Sequence, residues 1–312
     1  MNFRHAATAF LTISLSLMAC TRDVPRGAST TVRVDDFGDT IPATLRAQRI
    51  VSLSPVTTEL LFALGAGARV VGRTHWDSYP AEARAVPDVG NGMQPNIEAV
   101  LGARPDVVVL YASASNRAAA RRLRQAGITT ISLHQDRTED FRRAAMFLGL
   151  AIGDSARGAI LGDRVLGEIR AVRTSSTSLN GVAGKHPTIF WHIWDAPVFT
   201  IGSASYLDEL VAAAGAQNIF GDRAESAPQV SLEEVVKRDP DYVLAGPTSA
   251  PKLLVNPAWR AVRAVREGRV LVVDTALVGR PGIRMGEAAR RIRALLDSAA
   301  AASPRTTNAV KR

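Results

Sequence analysis

Short runs of valine and isoleucine alternate along the chain with longer stretches whose apolar residues recur every three or four positions. The runs have the length and composition of buried strands, and the stretches between them have the period of amphipathic helices. The predicted strands form two series, at 49–53, 69–72, 106–111 and 128–133, and at 188–193, 241–246 and 269–274. Such alternation is typical of parallel sheets covered by helices. We therefore predict an α/β fold with two doubly wound α/β lobes.

One long amphipathic segment, residues 154–174, separates the two series. A single apolar stripe runs along it, formed by Leu161, Val165, Ile169 and Val172. Spacings of four, four and three residues place this stripe on one face of a helix. Three internal glycines each weaken such a helix by up to about 1 kcal/mol, so we expect it to depend on packing against both lobes. The pattern predicts one long rigid α-helix that joins an N-terminal lobe at 49–153 to a C-terminal lobe at 175–302.

The N-terminus has the pattern of an export signal. In residues 1–19, Arg4 precedes an uncharged and mostly apolar run that is shorter than the ~20 residues needed to span a bilayer. The residues Leu17-Met18-Ala19-Cys20 resemble the lipobox of bacterial lipoproteins, which implies a lipid on Cys20 and a tether at 20–48. The alternative is an ordinary signal peptide that ends near an unrelated cysteine. A polar tail is predicted at 303–312.

The charge of the chain is strongly basic but scattered. There are 38 Lys and Arg residues against 29 Asp and Glu residues, a formal net charge of +9. The densest basic clusters, at 121–124 and 289–293, lie in helical patterns with no aromatic residues between the arginines. A nucleic-acid interface typically combines a basic face with aromatic residues that stack on bases. We therefore predict no nucleic-acid partner.

Aromatic and polar residues follow two of the predicted strands. In open α/β sheets, ligands bind beyond the carboxyl ends of the strands. His75 and Trp76 come after the second predicted strand, and Trp191, His192 and Trp194 come at the end of the fifth. Aromatic residues make up only 5% of the chain, so three of its four tryptophans in these two segments indicate a binding site. Their faces would suit a large, flat or ring-like ligand.

No motif in the sequence indicates catalysis or a free metal site. A zinc site needs three or four ligands, and the HxH, HxxxH and CxxC spacings that supply them are absent. The GxSxG and HExxH motifs of hydrolases are absent too. We predict a protein that is not an enzyme and has no resident cofactor. The remote alternative is an exported metal-dependent hydrolase.

One short motif occurs twice, as NIEAVLGARPDVVV at 96–109 and as SLEEVVKRDPDYVL at 231–244. In each copy an apolar residue precedes a glutamate, and Pro-Asp follows seven residues later. The two glutamates, Glu98 and Glu233, lie 233 − 98 = 135 positions apart. Two copies at so large an offset indicate two similar lobes rather than a solenoid.

The sequence resembles a known family in both lobes. Residues 49–109, which begin RIVSLSPVTTELLFALGAG, resemble the N-terminal lobe of periplasmic binding proteins for cobalamin, haem and ferric-siderophore ABC importers. The resemblance continues through FTIGSASYLDELVAAAGAQNIF at 199–220, APQVSLEEVV at 227–236 and RPG at 280–282, and is closest to the cobalamin-binding members. It implies a periplasmic, membrane-anchored lipoprotein that captures a large metal chelate, most simply a cobalamin-type corrinoid. The implied partner is an ABC permease dimer with its ATPase.

The resemblance also assigns roles to individual residues. In this family each lobe presents a glutamate that docks on arginines of the two-fold permease, and these glutamates correspond to Glu98 and Glu233. Trp76 corresponds to an aromatic residue that stacks on the ring of the ligand in cobalamin binders. Arg280, in the RPG motif, is expected to meet a carboxylate or propionate of the ligand.

Two positions depart from the cobalamin-binding pattern. Gly92 and Ala227 stand where the best-known member carries tryptophans that face the ligand. The aromatic residues at the end of the fifth strand would then rebuild that wall from another direction. Haem and ferric siderophores therefore remain alternative ligands, with His75 and His192 as axial ligands of the iron if the ligand is haem.

Overall fold

A computed structural model describes residues 33–175 and 186–302 of the 312-residue chain. The predicted signal peptide at 1–19, the predicted lipidation site Cys20 and the predicted tail at 303–312 lie outside the described residues. Within the two described ranges, no helix is both long enough and apolar enough to cross a membrane.

The N-terminal lobe is built around a four-stranded parallel sheet. Its elements are β1 (Arg33–Val34), β2 (Thr40–Ile41), β3 (Ile50–Ser52), α1 (Pro55–Ala63), β4 (Val70–Gly72), β5 (Gly90–Asn91), β6 (Gln94–Pro95), α2 (Ile97–Gly102), β7 (Val107–Tyr111), α3 (Asn116–Gln125), β8 (Thr129–Leu133) and α4 (Thr138–Ile152). The strand order in the sheet is β4-β3-β7-β8, and the remaining short strands pair as the hairpins β1-β2 and β5-β6.

The C-terminal lobe follows a long helix, α5 (Ser155–Ser175). Its elements are β9 (Thr188–His192), β10 (Trp194–Asp195), β11 (Val198–Phe199), α6 (Tyr206–Ala213), β12 (Gln217–Asn218), α7 (Leu232–Arg238), β13 (Tyr242–Ala245), α8 (Ala250–Val255), α9 (Arg263–Arg266), β14 (Val270–Val272), α10 (Thr275–Val278) and α11 (Met285–Ala302). The parallel sheet has the order β12-β9-β13-β14. In both sheets, therefore, the first strand along the chain lies between the second and the third.

Both faces of each sheet are covered, as the near-continuous apolar strands require. Along β7, Val107 and Val109 join the core that faces α1 and α4, whereas Val108 and Leu110 join the core beneath α2 and α3. This alternation follows from the two-residue period of a strand. The first of these cores continues through α5 into the C-terminal lobe. The predicted fold class, two doubly wound lobes joined by one long helix, is confirmed.

Glycines allow α5 to pack very closely against α4. An added Cβ on Gly158 would lie 2.2 Å from the carbonyl oxygen of Ala145, and one on Gly149 would lie 2.8 Å from the Cα of Gly158. Asp154 begins the helix, because its Oδ1 accepts the N–H of Arg157 at 2.9 Å. Glycine lowers the stability of a helix, but here it permits a close backbone contact between α4 and α5 that no larger residue would allow, and this contact offsets the loss.

The sequence repeat has the same local structure in both lobes. Asn96 caps α2 by accepting the N–H of Ala99, and Ser231 caps α7 by accepting the N–H of Glu234. Asp106 accepts the N–H of Arg49, just before β3, and the equivalent aspartate, Asp241, accepts the N–H at the start of β9. The Pro-Asp pair therefore joins the third strand of each sheet to the first.

Residues 33–48 belong to the folded lobe, so the predicted tether at 20–48 is too long. The carboxylate of Asp35 is buried and accepts the N–H groups of Phe37, Asp39 and Ser132. Asp36 forms an ion pair with Arg143 of α4 at 2.5 Å. Ile41 and Ala47 also join the central core, but apolar residues in this segment follow no regular period, so hydrophobic periodicity does not reveal it.

Candidate functional site

A cavity of about 440 Å³ lies at the carboxyl ends of the C-terminal strands. Residues that follow β9, β13 and β14 line it, together with Gln135 and Asp136, which follow β8 of the other lobe. A second cavity of about 230 Å³ lies at the strand ends of the N-terminal lobe and is lined by the same Gln135 and Asp136. The two cavities therefore form one cleft between the lobes.

Gln135 and Asp136 are site residues that the sequence analysis missed. The Oε1 atom of Gln135 accepts the hydroxyl of Ser54 at 2.5 Å, while its Nε2 has no partner among the described residues. Asp136 accepts the hydroxyl of Tyr111 at 2.8 Å, and burial together with this carboxylate raises the pKa of Tyr111. Both residues come two or three positions after the predicted strand at 128–133, so the strand-end rule applied to all strands would have found them.

The loop after β4 presents Trp76 to the cleft. The indole of Trp76 is 62% exposed and lines the N-terminal cavity, and the exposed ring of His75 lies 4.4 Å from it. Asp77 anchors the loop, because its buried carboxylate accepts the hydroxyls of Thr58 and Thr74 at 2.5 Å each. Burial raises the pKa of Asp77, and these two hydrogen bonds oppose the shift. A fixed loop thus holds an exposed aromatic face.

The three C-terminal candidates differ in exposure although all of them line the larger cavity. Trp194 is 63% exposed and lies on the β10-β11 hairpin, so its face is open to a ligand. Trp191 points into the central core and is 4% exposed, so little more than an edge of it can reach the cavity. Two open indoles, Trp76 and Trp194, therefore stand on opposite lobes of the cleft.

His192 is buried at the end of β9 with neither ring nitrogen hydrogen-bonded within the described residues. Its Nε2 lies 3.8 Å from Oδ1 of Asp195, which is too long for a direct hydrogen bond. Asp195 is held by the indole N–H of Trp259, which donates to the same Oδ1 at 2.8 Å. Burial lowers the pKa of His192, although the charge of Asp195 opposes the shift. The imidazole is therefore neutral near pH 7, with one donor and one acceptor available.

The nearest charged partner of Arg280 within the described residues belongs to the protein itself. Its Nη1 lies 3.6 Å from Oε1 of Glu59, a carboxylate with 1% of its side chain exposed on α1 of the other lobe. Arg280 is not among the lining residues of the two cavities that form the cleft, although its neighbours Gly279 and Pro281 are. A contact of Arg280 with a carboxylate of the ligand stays a prediction.

Glu98 and Glu233 lie in the first turns of α2 and α7, and both are exposed. Within residues 33–175 and 186–302, neither carboxylate has an ion pair or a side-chain hydrogen bond. The neighbouring Glu234, in contrast, is bound by Arg223 at 2.5 Å and takes part in the cap of α7. The two predicted docking residues are therefore free of ion pairs and side-chain hydrogen bonds within the described part of the fold.

Gly92 and Ala227, which stand in place of two tryptophans of the cobalamin-binding pattern, differ in the room around them. A Cβ on Gly92 would lie 2.1 Å from the carbonyl oxygen of Leu53, so the backbone leaves no room for any side chain there. Ala227 lines the larger cavity with only a methyl group.

Among the described residues, no group of three or more His, Cys, Asp or Glu side chains is arranged to hold a metal ion.

Known proteins resemble the chain over most of its length. The profile of the periplasmic binding protein family matches residues 50–277. An uncharacterized ABC transporter substrate-binding lipoprotein of Bacillus subtilis is 29% identical over 246 residues, 77% of each chain. A cobalamin-binding protein of Halobacterium salinarum is 29% identical over 284 residues, 86% of this chain and 75% of that one. The structure of an apo periplasmic haem-binding protein from Roseiflexus sp. RS-1 superposes with a TM-score of 0.72 at 25% identity, over 81% of this chain and 99% of that one.

Proposed function

Because the chain belongs to the periplasmic binding protein family, whose members here are binding proteins and not enzymes, we propose that it is the substrate-binding component of an ABC importer. Its location is extracytoplasmic, as in that family. It captures a large metal chelate in the cleft and delivers it to a permease dimer driven by an ATPase. The observation that carries this proposal is the pair of open indoles, Trp76 and Trp194, which face one cleft from opposite lobes.

The first candidate ligand is a cobalamin-type corrinoid. Two relatives support it in name, the cobalamin-binding protein of Halobacterium salinarum and a vitamin B12-binding protein of Pectobacterium carotovorum that is 26% identical over 78% of this chain and 87% of its own length. Exposed indoles give a wide, weakly polar macrocycle a large contact area at little cost in side-chain entropy. Ala227 lines the larger cavity with only a methyl group, which leaves space that a bulky ring would fill.

Haem is the second candidate, and the histidines favour it. His75 lies beside Trp76, and His192 has ring nitrogens without a hydrogen-bond partner in the described residues. Neutral imidazole is a common ligand of haem iron. A ferric siderophore would use the same cleft without needing either histidine as an axial ligand.

Titration of the purified protein with cyanocobalamin, haemin and a ferric hydroxamate separates these ligands. Quenching of tryptophan fluorescence reports binding, because Trp76 and Trp194 are exposed in the free protein. We expect cyanocobalamin to bind with a Kd of about 1 μM or below, and the other two to bind at least about tenfold more weakly. If haemin alone binds tightly, the ligand is haem and not a corrinoid. Weak binding of all three would refute the proposal.

Delivery to the permease depends on Glu98 and Glu233. Carboxylates pair well with arginine, and the free state of both side chains leaves them available for that contact. Reversing both charges, Glu98→Arg with Glu233→Arg, should abolish uptake of the ligand in cells while its affinity for the purified protein stays unchanged. A matched control reverses two other exposed glutamates, Glu82 and Glu287, and should leave uptake intact. Normal uptake by the first variant would exclude docking through this pair.

Attachment to the membrane is assigned to a lipid on Cys20. The proposal rests on the lipobox-like sequence before this cysteine and on the lipoprotein named among the relatives. Replacement of Cys20 by alanine should move the protein from the membrane fraction to the soluble fraction of the cell envelope. Retention of the variant in the membrane fraction would contradict the assignment.

A further inference from the structure

A second cavity of the C-terminal lobe, of about 240 Å³, opens beside the larger one. We call it the side pocket. It shares His192, Trp194 and Ser249 with the larger cavity and is otherwise lined by Asp195, Lys252 and their apolar neighbours, such as Leu253. Water occupies about 30 Å³ per molecule, so the side pocket has room for a side arm of a ligand but not for a macrocycle.

The acceptors of the side pocket are held in place by the fold. Asp195 has half of its side chain exposed, and Trp259 fixes its Oδ1 through a 2.8 Å hydrogen bond. Trp259 is itself 2% exposed and packs against the ring of His192, with the two ring centroids 5.4 Å apart. His192 adds one acceptor and one donor that have no partner among the described residues. These groups are oriented before any ligand arrives.

The donors of the side pocket come from the other wall. Lys252 on α8 is exposed and takes part in no ion pair within the described ranges, and Ser249 precedes the same helix without accepting a cap hydrogen bond from it. A polar side chain that a bound ligand shields from water costs free energy unless the ligand gives it a hydrogen-bond partner. The ligand must therefore satisfy the donors and the acceptors of the side pocket together. The side pocket therefore needs a ligand group that donates and accepts.

We propose that the side pocket binds an uncharged primary-amide side arm of the macrocycle that occupies the larger cavity. An amide N–H₂ can donate to Asp195, and the amide oxygen can accept from Lys252 or Ser249. A carboxylate arm would accept from Lys252 but would meet the like charge of Asp195, and an apolar arm would leave all of these groups unpaired. The side pocket thus selects amidated corrinoids over macrocycles with carboxylate arms, such as haem. This inference rests on the proposed function.

Two corrinoid probes test the inference. Dicyanocobinamide carries its side arms as amides, whereas cobyrinic acid carries the same arms as free carboxylic acids. We expect the wild-type protein to bind cobinamide at least about tenfold more tightly than cobyrinic acid. The probes differ at every arm, so the ratio of their affinities for the wild-type protein does not by itself locate the contact. The change of that affinity ratio in Asp195→Asn does. Asparagine keeps an oxygen for Trp259 but removes the charge, so the ratio should fall to about threefold or less.

A lysine pair provides the matched control. Lys252→Met should weaken binding of cobinamide by about threefold to tenfold, whereas Lys237→Met, at an exposed position of α7, should not change it. Lys252 is exposed, so its replacement keeps the inference testable even if Asp195→Asn lowers the Tm of the protein. A smaller ratio in Asp195→Asn together with a loss of affinity in Lys252→Met supports the inference.

The failures of the two proposals are distinguishable. Equal affinity of the wild-type protein for both probes would overturn the amide site. So would an unchanged ratio of the two affinities in Asp195→Asn together with unchanged cobinamide binding in Lys252→Met. The proposed function would stand in that case, because cobinamide still binds. Tight binding of haemin with no binding of either corrinoid would refute the corrinoid ligand itself, and the amide site with it.

Discussion

Replacement of Glu59 by glutamine tests how a buried carboxylate between the lobes affects stability. Glu59 has 1% of its side chain exposed, and its closest charged partner is Arg280 of the other lobe at 3.6 Å. The chain approaches so tightly here that a Cβ on Gly282 would lie 2.4 Å from Oε2 of Glu59. Burial raises the pKa of Glu59, and the attraction of Arg280 and Arg284 only partly offsets the shift.

The raised pKa fixes the sign of the pH dependence. Above the ordinary value of 4.5 and below its folded value, the carboxyl group keeps a proton in the folded protein that the unfolded chain has lost. The folded state then binds more protons, so the free energy of unfolding falls as the pH rises through that window. The fall from this group is about 1.4 kcal/mol for each pH unit within the window. Glutamine does not titrate, and Glu59→Gln should therefore lack this fall.

Urea unfolding of both proteins between about pH 4.5 and pH 8 measures the effect. In the variant Arg280 lies beside a neutral amide at every pH, so position 59 adds no pH dependence to the stability of the variant while the guanidinium stays charged. The informative quantity is therefore the slope. We expect the stability of Glu59→Gln relative to wild type to increase with pH and then to level off. Glu287→Gln, at an exposed position of α11, controls for the removal of one carboxylate. A relative stability that stays constant or falls with pH would refute the reasoning.

Two further predictions concern the connecting helix and the cleft. Gly158→Ala should lower the free energy of unfolding by about 1–3 kcal/mol or more, because its Cβ would lie 2.2 Å from the carbonyl oxygen of Ala145. In the same helix, the Cβ of Gly167→Ala would meet only a guanidinium nitrogen at 3.9 Å, and this variant should raise the free energy of unfolding by about 0.5–1 kcal/mol. Urea unfolding of the two variants therefore separates the effect of the close backbone contact from the effect of helix propensity. Trp76→Ala and Trp194→Ala should each weaken binding of cyanocobalamin by about tenfold with little change in Tm, since both indoles are exposed; unaltered affinity in a titration would remove that indole from the site.

Periodicity was enough to predict the architecture. Valine-rich runs and amphipathic stretches report burial directly, and they gave the seven longer strands and the helix at Ser155–Ser175 to within a few residues. The length of the tether was overestimated because the contacts that hold its second part to the lobe leave no periodic pattern in the sequence. Residues such as Asp35 and Asp36 hold the first segment to the lobe with hydrogen bonds and an ion pair, and these contacts have no period in the sequence.

The candidate site was predictable only in part, because strand ends locate residues without giving their direction. Trp191 and His192 are adjacent on β9 and therefore point to opposite faces, one into the central core and the other toward Trp259. Arg280 could not be assigned from its motif, since its carboxylate partner lies more than two hundred positions earlier in the chain, on the other lobe. Such long-range contacts depend on how the lobes pack against α5, which no local pattern encodes.

The repeated motif can now be divided into residues that the fold needs and residues that it does not. Asn96 and Ser231 cap the helices, and Pro-Asp ties the third strand to the first in each sheet. Arg104 and Asp239, at equivalent positions, both adopt positive φ angles, of 48° and 45°, where each helix ends. Glu98 and Glu233 are conspicuous by contrast, because no contact within the described residues accounts for them. Their places in the first turns of α2 and α7 suit the helix dipole. Their match between the lobes agrees with the proposed docking on a partner that meets both lobes in the same way.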